Sequence, residues 1–291
     1  MYSNIVLSGG AFRGLGILGA IKYLEEQKLM KYFKQYIGTS AGALICFFLI
    51  IGYNSEEIKD ILLNEMENII DIDIDNIDNI LYDYGLNDTS KNKEIFEKYL
   101  EKKINARSIT FIEFSKKFGV NLIITGSNLT KRKLEYFNLN NHPNMNIIDA
   151  LLITSCIPII YKPIRYNDDL YIDGGVYNNF PYKYFDKNSN DTLGIYVKST
   201  YSNNNETFMC YLNNIIFSIF DNITDFSINN KKYNICYINF TDSSNNDFNI
   251  DNDLQLSIKL DKINENFNYG YNVLKSYLNN ILKDKNNLNL E

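Results

Sequence analysis

Ser40 lies in the segment Gly38-Thr39-Ser40-Ala41-Gly42, which matches the G-x-S-x-G pattern found around the nucleophile of many serine hydrolases. The pattern is short and arises by chance in unrelated chains, so its surroundings must decide its meaning. A serine nucleophile needs a base for its proton, a strained turn that exposes the hydroxyl, and backbone N–H groups that bind the developing oxyanion. The sequence offers a candidate for each of these three requirements.

The turn is predicted at Ser40 itself. A short strand is predicted over Gln35 to Gly38 and an apolar helix over Ala41 to Ile51, so the serine falls between a strand and a helix. Gly38 and Gly42 allow the strand and the helix to approach closely, and the helix N-terminus directs its N–H groups toward the serine. In this context the pattern indicates a nucleophile.

The base is the most informative requirement, because the chain has a single histidine, His142. It lies in the polar stretch Asn-Asn-His-Pro-Asn and precedes Asp173, whereas the histidine of an α/β-hydrolase follows the catalytic acid. We therefore expect a loop or capping role for His142. Without a histidine, a carboxylate has to accept the serine proton directly, which requires burial or hydrogen bonding to tune its ordinary pKa of about 3.9.

Asp173 is the candidate carboxylate. It follows the apolar stretch Leu170-Tyr171-Ile172, which predicts a short strand, and it precedes Gly174 and Gly175. Two glycines let the backbone turn sharply and leave room for another side chain beside the carboxyl group. A plain turn is the alternative interpretation of an isolated Asp-Gly-Gly.

The oxyanion donors are predicted in the glycine-rich segment from Ser8 to Gly14. Gly9 and Gly10 are expected to direct consecutive N–H groups into one concavity beside Arg13.

A dinucleotide site is the rival interpretation of this region, because the glycines at positions 14, 16 and 19 match G-x-G-x-x-G. That pattern should follow the first strand directly and be accompanied by an acidic residue at the end of the second strand. Neither condition is met. We therefore predict no nucleotide cofactor, and no other cofactor.

These residues need a scaffold that brings them together. Two successive strand–turn–helix units, Asn4 to Leu29 and Gln35 to Ile51, imply a parallel sheet covered by helices. We expect one domain over residues 1–291 with a three-layer α/β/α fold and a mainly parallel central sheet. Further helices are predicted from Ser55 onward and over Lys91–Lys103, Ile109–Phe118, Ile147–Thr154, Phe208–Phe226 and Lys262–Leu282, and further strands over Val120–Thr125, Leu193–Lys198 and Ile235–Phe240.

The charge and the acidic and cysteine residues of the chain indicate which ligands it is not expected to bind. The formal net charge of −6 argues against nucleic acid, because phosphate binding needs a basic surface. The acidic stretch from Asp71 to Ile80 lacks the glycine and glutamate of a calcium-binding EF-hand loop, and no metal site is predicted. The cysteines are far apart among apolar neighbours, which predicts buried free thiols rather than disulfides: Cys46, Cys156, Cys210 and Cys236.

Location is predicted from apolar runs. The longest run, Ala41 to Ile51, is about half as long as the ~20 residues of a membrane-spanning helix. The N-terminus shows no signal-peptide pattern. We expect a cytoplasmic protein with transient peripheral membrane contact, and delivery into another cell remains an open alternative. The stripe of the predicted helix Phe208–Phe226 is interpreted as core packing in preference to a lipid-touching face.

The motifs SGGAFRG, GTSAG and DGG, in that order and each at a predicted strand end, resemble those of the patatin-like phospholipases. The resemblance covers about residues 4 to 200. It extends to Gly85-Leu86, Thr110-Phe111, Thr125 to Leu129, Asp149-Ala150, Ser155 to Pro158 and Asn179-Phe180-Pro181.

The resemblance implies a Ser40–Asp173 dyad that hydrolyses glycerolipid esters through an acyl-enzyme, without calcium. It implies an oxyanion hole drawn from Gly9, Gly10, Ala11, Arg13 and Gly14. Many members have a third glycine where this chain has Ala11, which costs about 1 kcal/mol or more if the position needs a positive φ.

The expected substrate is a phospholipid or lysophospholipid. A lipase for neutral acylglycerols is one alternative. A catalytically inactive lipid-binding module is the other.

Overall fold

The computed structural model describes residues 2–69, 78–199, 211, 214–216, 218–221, 224, 233–240 and 260–288. Its strands are β1 (Asn4–Leu7), β2 (Gln35–Gly38), β3 (Gly85–Asn87), β4 (Asn121–Asn128), β5 (Lys133–Phe137), β6 (Ile159–Tyr161), β7 (Ile164–Tyr166), β8 (Asp169–Asp173), β9 (Thr192–Ser199) and β10 (Ile235–Phe240). Its α-helices are α1 (Gly14–Glu26), α2 (Ala41–Ile50), α3 (Ser55–Ile69), α4 (Asp78–Asp83), α5 (Ser90–Ile104), α6 (Phe111–Phe118), α7 (Ile147–Thr154), α8 (Gly175–Asn178) and α9 (Leu260–Leu288).

The central sheet has the strand order β10-β9-β1-β2-β4-β8-β7, and β5 also pairs with β4. The strands from β10 to β4 run parallel, whereas β8 is antiparallel to both β4 and β7 and β5 is antiparallel to β4. β3 and β6 form a separate two-stranded sheet. The predicted α/β fold with a mainly parallel sheet is confirmed.

The sheet is apolar on both faces, as expected for parallel strands with both sides covered. Ile5 and Leu7 of β1 join a large cluster that includes residues of α1, α2, α7 and α9, whereas Val6 belongs to a second cluster. The second cluster is covered by Phe180 and by the 3₁₀-helical segment Tyr182–Asp191.

Most predicted elements are present, with small changes at their ends. The first helix ends at Glu26 instead of Leu29, and Lys28 beyond it has a φ of 56°. The described residues between 211 and 224 are helical, with Ile216 and Phe220 buried. Cys46, Cys156 and Cys236 are buried free thiols, as predicted. Cys210 and residues 71–77 lie outside the described residues.

The G-x-G-x-x-G glycines lie inside α1 and contact another helix. A Cβ on Gly19 would lie 1.7 Å from the carbonyl oxygen of Phe267, and a Cβ on Gly270 would lie 1.9 Å from the carbonyl oxygen of Gly16. The glycines therefore allow α1 and α9 to touch backbone to backbone. This contact gives Gly16 and Gly19, two of the three glycines in the pattern, a role in helix packing.

Across the described ranges, none of the helices combines the length and apolarity needed to cross a bilayer.

Candidate active site

Ser40 sits on a strained turn between β2 and α2. Its φ of 51° and ψ of −126° are unusual for a residue with a Cβ, and strained backbone of this kind is concentrated at functional sites. The turn is held by a hydrogen bond from the Ser40 N–H to Thr154 Oγ1 at 2.9 Å. The Ser40 carbonyl accepts N–H groups of the first turn of α2. The hydroxyl does not cap the helix, so it is available for chemistry.

The two flanking glycines are required by space. A Cβ on Gly42 would lie 2.5 Å from the carbonyl oxygens of Leu7 and Ser8, and a Cβ on Gly38 would lie 2.4 Å from the Ala43 nitrogen. The start of α2 therefore packs directly on the ends of β1 and β2. This is the close approach of strand and helix that the sequence predicted.

Asp173 reaches the same edge of the sheet from the opposite direction. Gly38 at the end of β2 pairs with Ile124 of β4, and β4 continues past this point. β8 runs antiparallel to β4 and ends with Asp173 opposite Gly126, two residues beyond Ile124. The last residue of β8 therefore lies next to the turn that follows β2.

The Asp173 carboxyl group is fully buried. Its Oδ1 atom accepts the Gly175 N–H at 2.7 Å, and its Oδ2 atom has no hydrogen-bond partner among the described residues. Burial raises the pKa of Asp173 to about 7, against smaller lowering effects from the Gly175 N–H and the nearby Ser40 hydroxyl. A carboxyl group with this pKa can accept and return a proton near neutral pH.

Glycines after Asp173 make room for neighbouring side chains, as the sequence suggested. A Cβ on Gly174 would lie 2.2 Å from Thr125 Oγ1, and a Cβ on Gly175 would lie 2.9 Å from the Phe220 ring. Thr125 Oγ1 in turn lies 2.7 Å from Thr39 Oγ1, so a buried hydroxyl pair links β4 to the turn that carries Ser40.

The loop from Gly9 to Gly14 corrects the expected donor pair. The Gly9 N–H donates to the Asn179 carbonyl at 3.0 Å, and the Arg13 N–H donates to the Gly10 carbonyl at 2.9 Å. The Gly14 N–H donates to the Ala11 and Phe12 carbonyls. Gly10 and Ala11 are the members of the predicted set whose N–H groups have no acceptor among the described residues, so they replace Gly9 and Gly10 as the candidate donors.

The Arg13 side chain is buried and lies within the electrostatic influence of Asp221 and Tyr196. Burial lowers the pKa of its guanidinium to about 10, and the charge of Asp221 opposes that effect, as does Tyr196. Tyr196 also donates its hydroxyl to Asp221 Oδ1 at 3.3 Å. Arg13 is therefore cationic at neutral pH.

Ala11 has a φ of 46°, so the position does need the left-handed conformation. We expect Ala11→Gly to raise the free energy of unfolding by about 0.5–1 kcal/mol, because glycine relieves roughly 1–2 kcal/mol of backbone strain, part of which is offset by the larger conformational entropy of the unfolded chain. The variant retains the N–H group and should retain turnover. Urea denaturation measures the change.

The same replacement at Ala20, which is fully buried within α1, is the matched control. It should destabilise the protein, because glycine is unfavourable inside a helix. Equal destabilisation by both replacements would contradict strain at Ala11.

His142 packs against Phe137, with the two ring centres 4.9 Å apart. Its Nδ1 atom is buried without a hydrogen-bond partner among the described residues, and burial lowers the pKa of the imidazole. Across the described residues, no hydrogen bond joins it to Ser40 or Asp173. The same residues contain no group of three or more His, Cys, Asp or Glu side chains that could hold a metal ion.

Two residues of the site were named in the sequence analysis without a specific function. Thr154 was only the end of a predicted helix, and no sequence signal marks its hydroxyl as the partner of the Ser40 N–H. Asn179 was part of the family resemblance, which gave the available signal, but its contacts with Gly9 come from the fold.

Known proteins are similar to this chain in sequence and in fold. A family model for patatin-like phospholipase matches residues 5–186. The chain is 40% identical over 182 residues to a probable lipid hydrolase of Invertebrate iridescent virus 6, and the aligned region covers 62% of each protein. It is 30% identical over 205 residues to an uncharacterised protein of Acanthamoeba polyphaga mimivirus, covering 70% of this chain and 66% of that one. The match therefore spans less than two thirds of each relative.

Solved structures show the same fold at low identity. VipD from Legionella pneumophila aligns over 96% of this chain and 67% of its own, with a TM-score of 0.59 and 16% identity. ExoU in its complex with SpcU, from Pseudomonas aeruginosa, aligns over 97% of this chain and 52% of its own, with a TM-score of 0.55 and 15% identity.

Proposed function

Because the chain belongs to the patatin-like phospholipase family, we propose that it is a serine acyl hydrolase that cleaves fatty-acyl esters of phospholipids or lysophospholipids. One observation carries the proposal: a serine at a φ of 51° stands beside a fully buried aspartate whose pKa is about 7. A relative described as a probable lipid hydrolase supports the chemistry, as does a Caenorhabditis elegans relative described as an intracellular phospholipase A2.

The proposed reaction has two halves that use the same groups. In the first, Asp173 accepts the proton of the Ser40 hydroxyl as Oγ attacks the ester carbonyl, and the N–H groups of Gly10 and Ala11 stabilise the oxyanion. Protonated Asp173 then donates to the departing alcohol oxygen, which leaves an acyl-enzyme. In the second half, Asp173 accepts a proton from water, water attacks the acyl carbonyl, and the proton returns to Ser40 as the fatty acid departs.

The lipid substrate also defines the expected surroundings. We propose that the protein works in the cytoplasm with transient contact to a membrane surface. The neighbour ExoU is described in its complex with SpcU as coming from the type III secretion system of Pseudomonas aeruginosa, and delivery into another cell is the alternative route to the lipid.

We expect wild type to release fatty acid from phosphatidylcholine or lysophosphatidylcholine vesicles in the presence of a metal chelator, because the proposed mechanism uses no metal. Gas chromatography of the released acid provides the measurement. Triacylglycerol emulsions, assayed side by side, are expected to be poorer substrates. Preference for the emulsion would replace the phospholipase assignment with a neutral lipase.

Labelling with a fluorophosphonate probe separates an unsuitable lipid from an inactive protein. Labelling of Ser40 without release of fatty acid from any lipid would keep a serine hydrolase and overturn the substrate class. If the probe does not label Ser40 and no lipid releases fatty acid, the protein is an inactive lipid-binding module.

A further inference from the structure

Asn179 follows α8, six residues after Asp173, and bonds both sides of Gly9. Its carbonyl oxygen accepts the Gly9 N–H at 3.0 Å. Its side-chain Nδ2 donates to the Gly9 carbonyl at 3.4 Å. Asn179 is only 3% exposed, so these bonds are shielded from water. The segment that carries the proposed base is therefore tied directly to the loop that carries the oxyanion donors.

The Asn179 amide lies beside the nucleophile as well. A Cβ on Gly9 would lie 2.2 Å from Asn179 Oδ1 and 3.3 Å from Ser40 Cβ. Only a glycine at position 9 therefore leaves room for this amide. The Asn179 Oδ1 atom also comes within 3.1 Å of the place that a Cβ on Gly175 would take. The amide thus fills the space between the oxyanion loop, the serine turn and the start of α8.

The hydrogen bond from Asn179 Nδ2 to the Gly9 carbonyl also fixes the orientation of the Gly10 N–H. The Gly9 C=O and the Gly10 N–H belong to one peptide unit, which is planar and trans, so the two groups point in opposite directions. Whatever holds the Gly9 oxygen therefore sets the direction of the Gly10 N–H. That N–H is one of the two in the predicted set with no acceptor among the described residues.

We propose that Asn179 is a positioning residue of the oxyanion hole: its amide holds the Gly9 carbonyl and thereby directs the Gly10 N–H at the oxygen that becomes negative when Ser40 attacks. This inference rests on the proposed serine hydrolase function and adds a specific residue to it. Asn179 touches no reacting atom in this scheme, and its effect passes through the Gly9–Gly10 peptide.

The hydrogen bonding of the amide agrees with a role beyond stability. Asn179 Oδ1 is buried and has no partner among the described residues. A buried polar atom left unpaired lowers stability, whereas an apolar side chain of the same shape avoids that penalty. Asn179→Leu should therefore fold well, although it cannot hold the Gly9 oxygen.

We test the proposal with Asn179→Leu and, in case leucine disturbs packing, with Asn179→Ala. Asn178→Leu is the matched control, because the neighbouring Asn178 side chain accepts the Phe180 N–H, whereas the hydrogen bonds of Gly9 in the described residues go to Asn179. The assay is hydrolysis of a short-chain p-nitrophenyl ester, followed by the rate at which a fluorophosphonate labels Ser40. Thermal denaturation of each variant reports its folding.

Both Asn179 variants should lower kcat about ten- to hundredfold with little change in KM, since losing an oxyanion donor outright costs about 10²–10³ in kcat and a misdirected donor costs less. Labelling should slow in parallel, because the tetrahedral phosphorus adduct uses the same donors. Asn178→Leu should be near wild type. If the Asn179 variants lower kcat no more than the control, or only in proportion to lost folding, the positioning role is wrong. Wild type that neither hydrolyses the ester nor labels would overturn the proposed function, and this inference with it.

Discussion

Ser40→Ala should lose fatty-acid release almost completely, with kcat/KM falling roughly 10⁵-fold or to the background of the assay, because the variant lacks the hydroxyl on which the proposed acyl-enzyme forms. The loss should not come from misfolding. The Ser40 hydroxyl does not cap α2, whereas its N–H and carbonyl hold the turn and are unchanged in alanine. Thermal denaturation of the variant should therefore match wild type closely, and fluorophosphonate labelling should disappear.

His142→Ala is the control for this prediction. It removes the chain's single histidine, which packs against Phe137 and makes no hydrogen bond to the dyad among the described residues. Turnover should stay within a few-fold of wild type. Loss of turnover in His142→Ala, in soluble and folded protein, would refute a mechanism based on serine and aspartate alone.

Asp173→Asn should also lose turnover, by roughly 10⁴-fold, because an amide cannot accept the serine proton. Wild-type kcat/KM should rise with pH and level off above about 7, where the buried Asp173 is ionised. The variant should show no such rise. A stopped assay at several pH values with a soluble ester measures both profiles.

The same substitution should make the protein more stable at high pH. The folded-state pKa of Asp173 is about 7, above the ordinary value of 3.8, so the buried carboxyl favours folding most below pH 3.8 and loses that contribution as the pH rises through 7. Asparagine stays neutral throughout. The difference in unfolding free energy should grow over this range toward a ceiling of about 4 kcal/mol, reduced by the unpaired amide protons.

Asp169 at the other end of β8 provides a control of opposite sign. Hydrogen bonds from Lys131 and Asn128 lower the pKa of Asp169 below its ordinary value. Its carboxylate therefore adds stability above the unfolded-state pKa and loses it in acid. Asp169→Asn should be less stable than wild type at neutral pH and approach it as the pH falls. If urea denaturation shows a gap for Asp173→Asn that does not change with pH, a burial-raised pKa is the wrong explanation.

Local patterns were enough to predict the candidate dyad and its immediate setting. Alternation of glycines and apolar runs placed Ser40 between a strand and a helix, and the fold has both. The direction of β8 was not predictable, because a short strand ending in Asp173 reads the same in either orientation. The candidate oxyanion donors could not be chosen from the local sequence, because the Gly9 N–H donates to the carbonyl of Asn179, which lies far away in the sequence.

Short elements were missed for a related reason. β3, β6 and β7 have three residues each, too few to show a period. The position of Thr154 behind Ser40 follows from the packing of α7 on β4 and α2. Thr154, which accepts the Ser40 N–H, is therefore not marked by any sequence motif.

The backbone contact between α1 and α9 also affects synthesis of the protein on the ribosome. Helix α1, which begins at Gly14, packs against Phe267 and Gly270 of α9, a helix formed much later in the sequence. Strand β1 likewise pairs with β2 and β9, so its second partner forms only after β9 has been synthesised. A nascent chain that already contains Ser40 and Asp173 therefore still lacks the helix that covers α1, and it gains these contacts only after residues 260–288 have been synthesised. We therefore expect the packing around Ser40 and Asp173 to be completed only when α9 is available to α1.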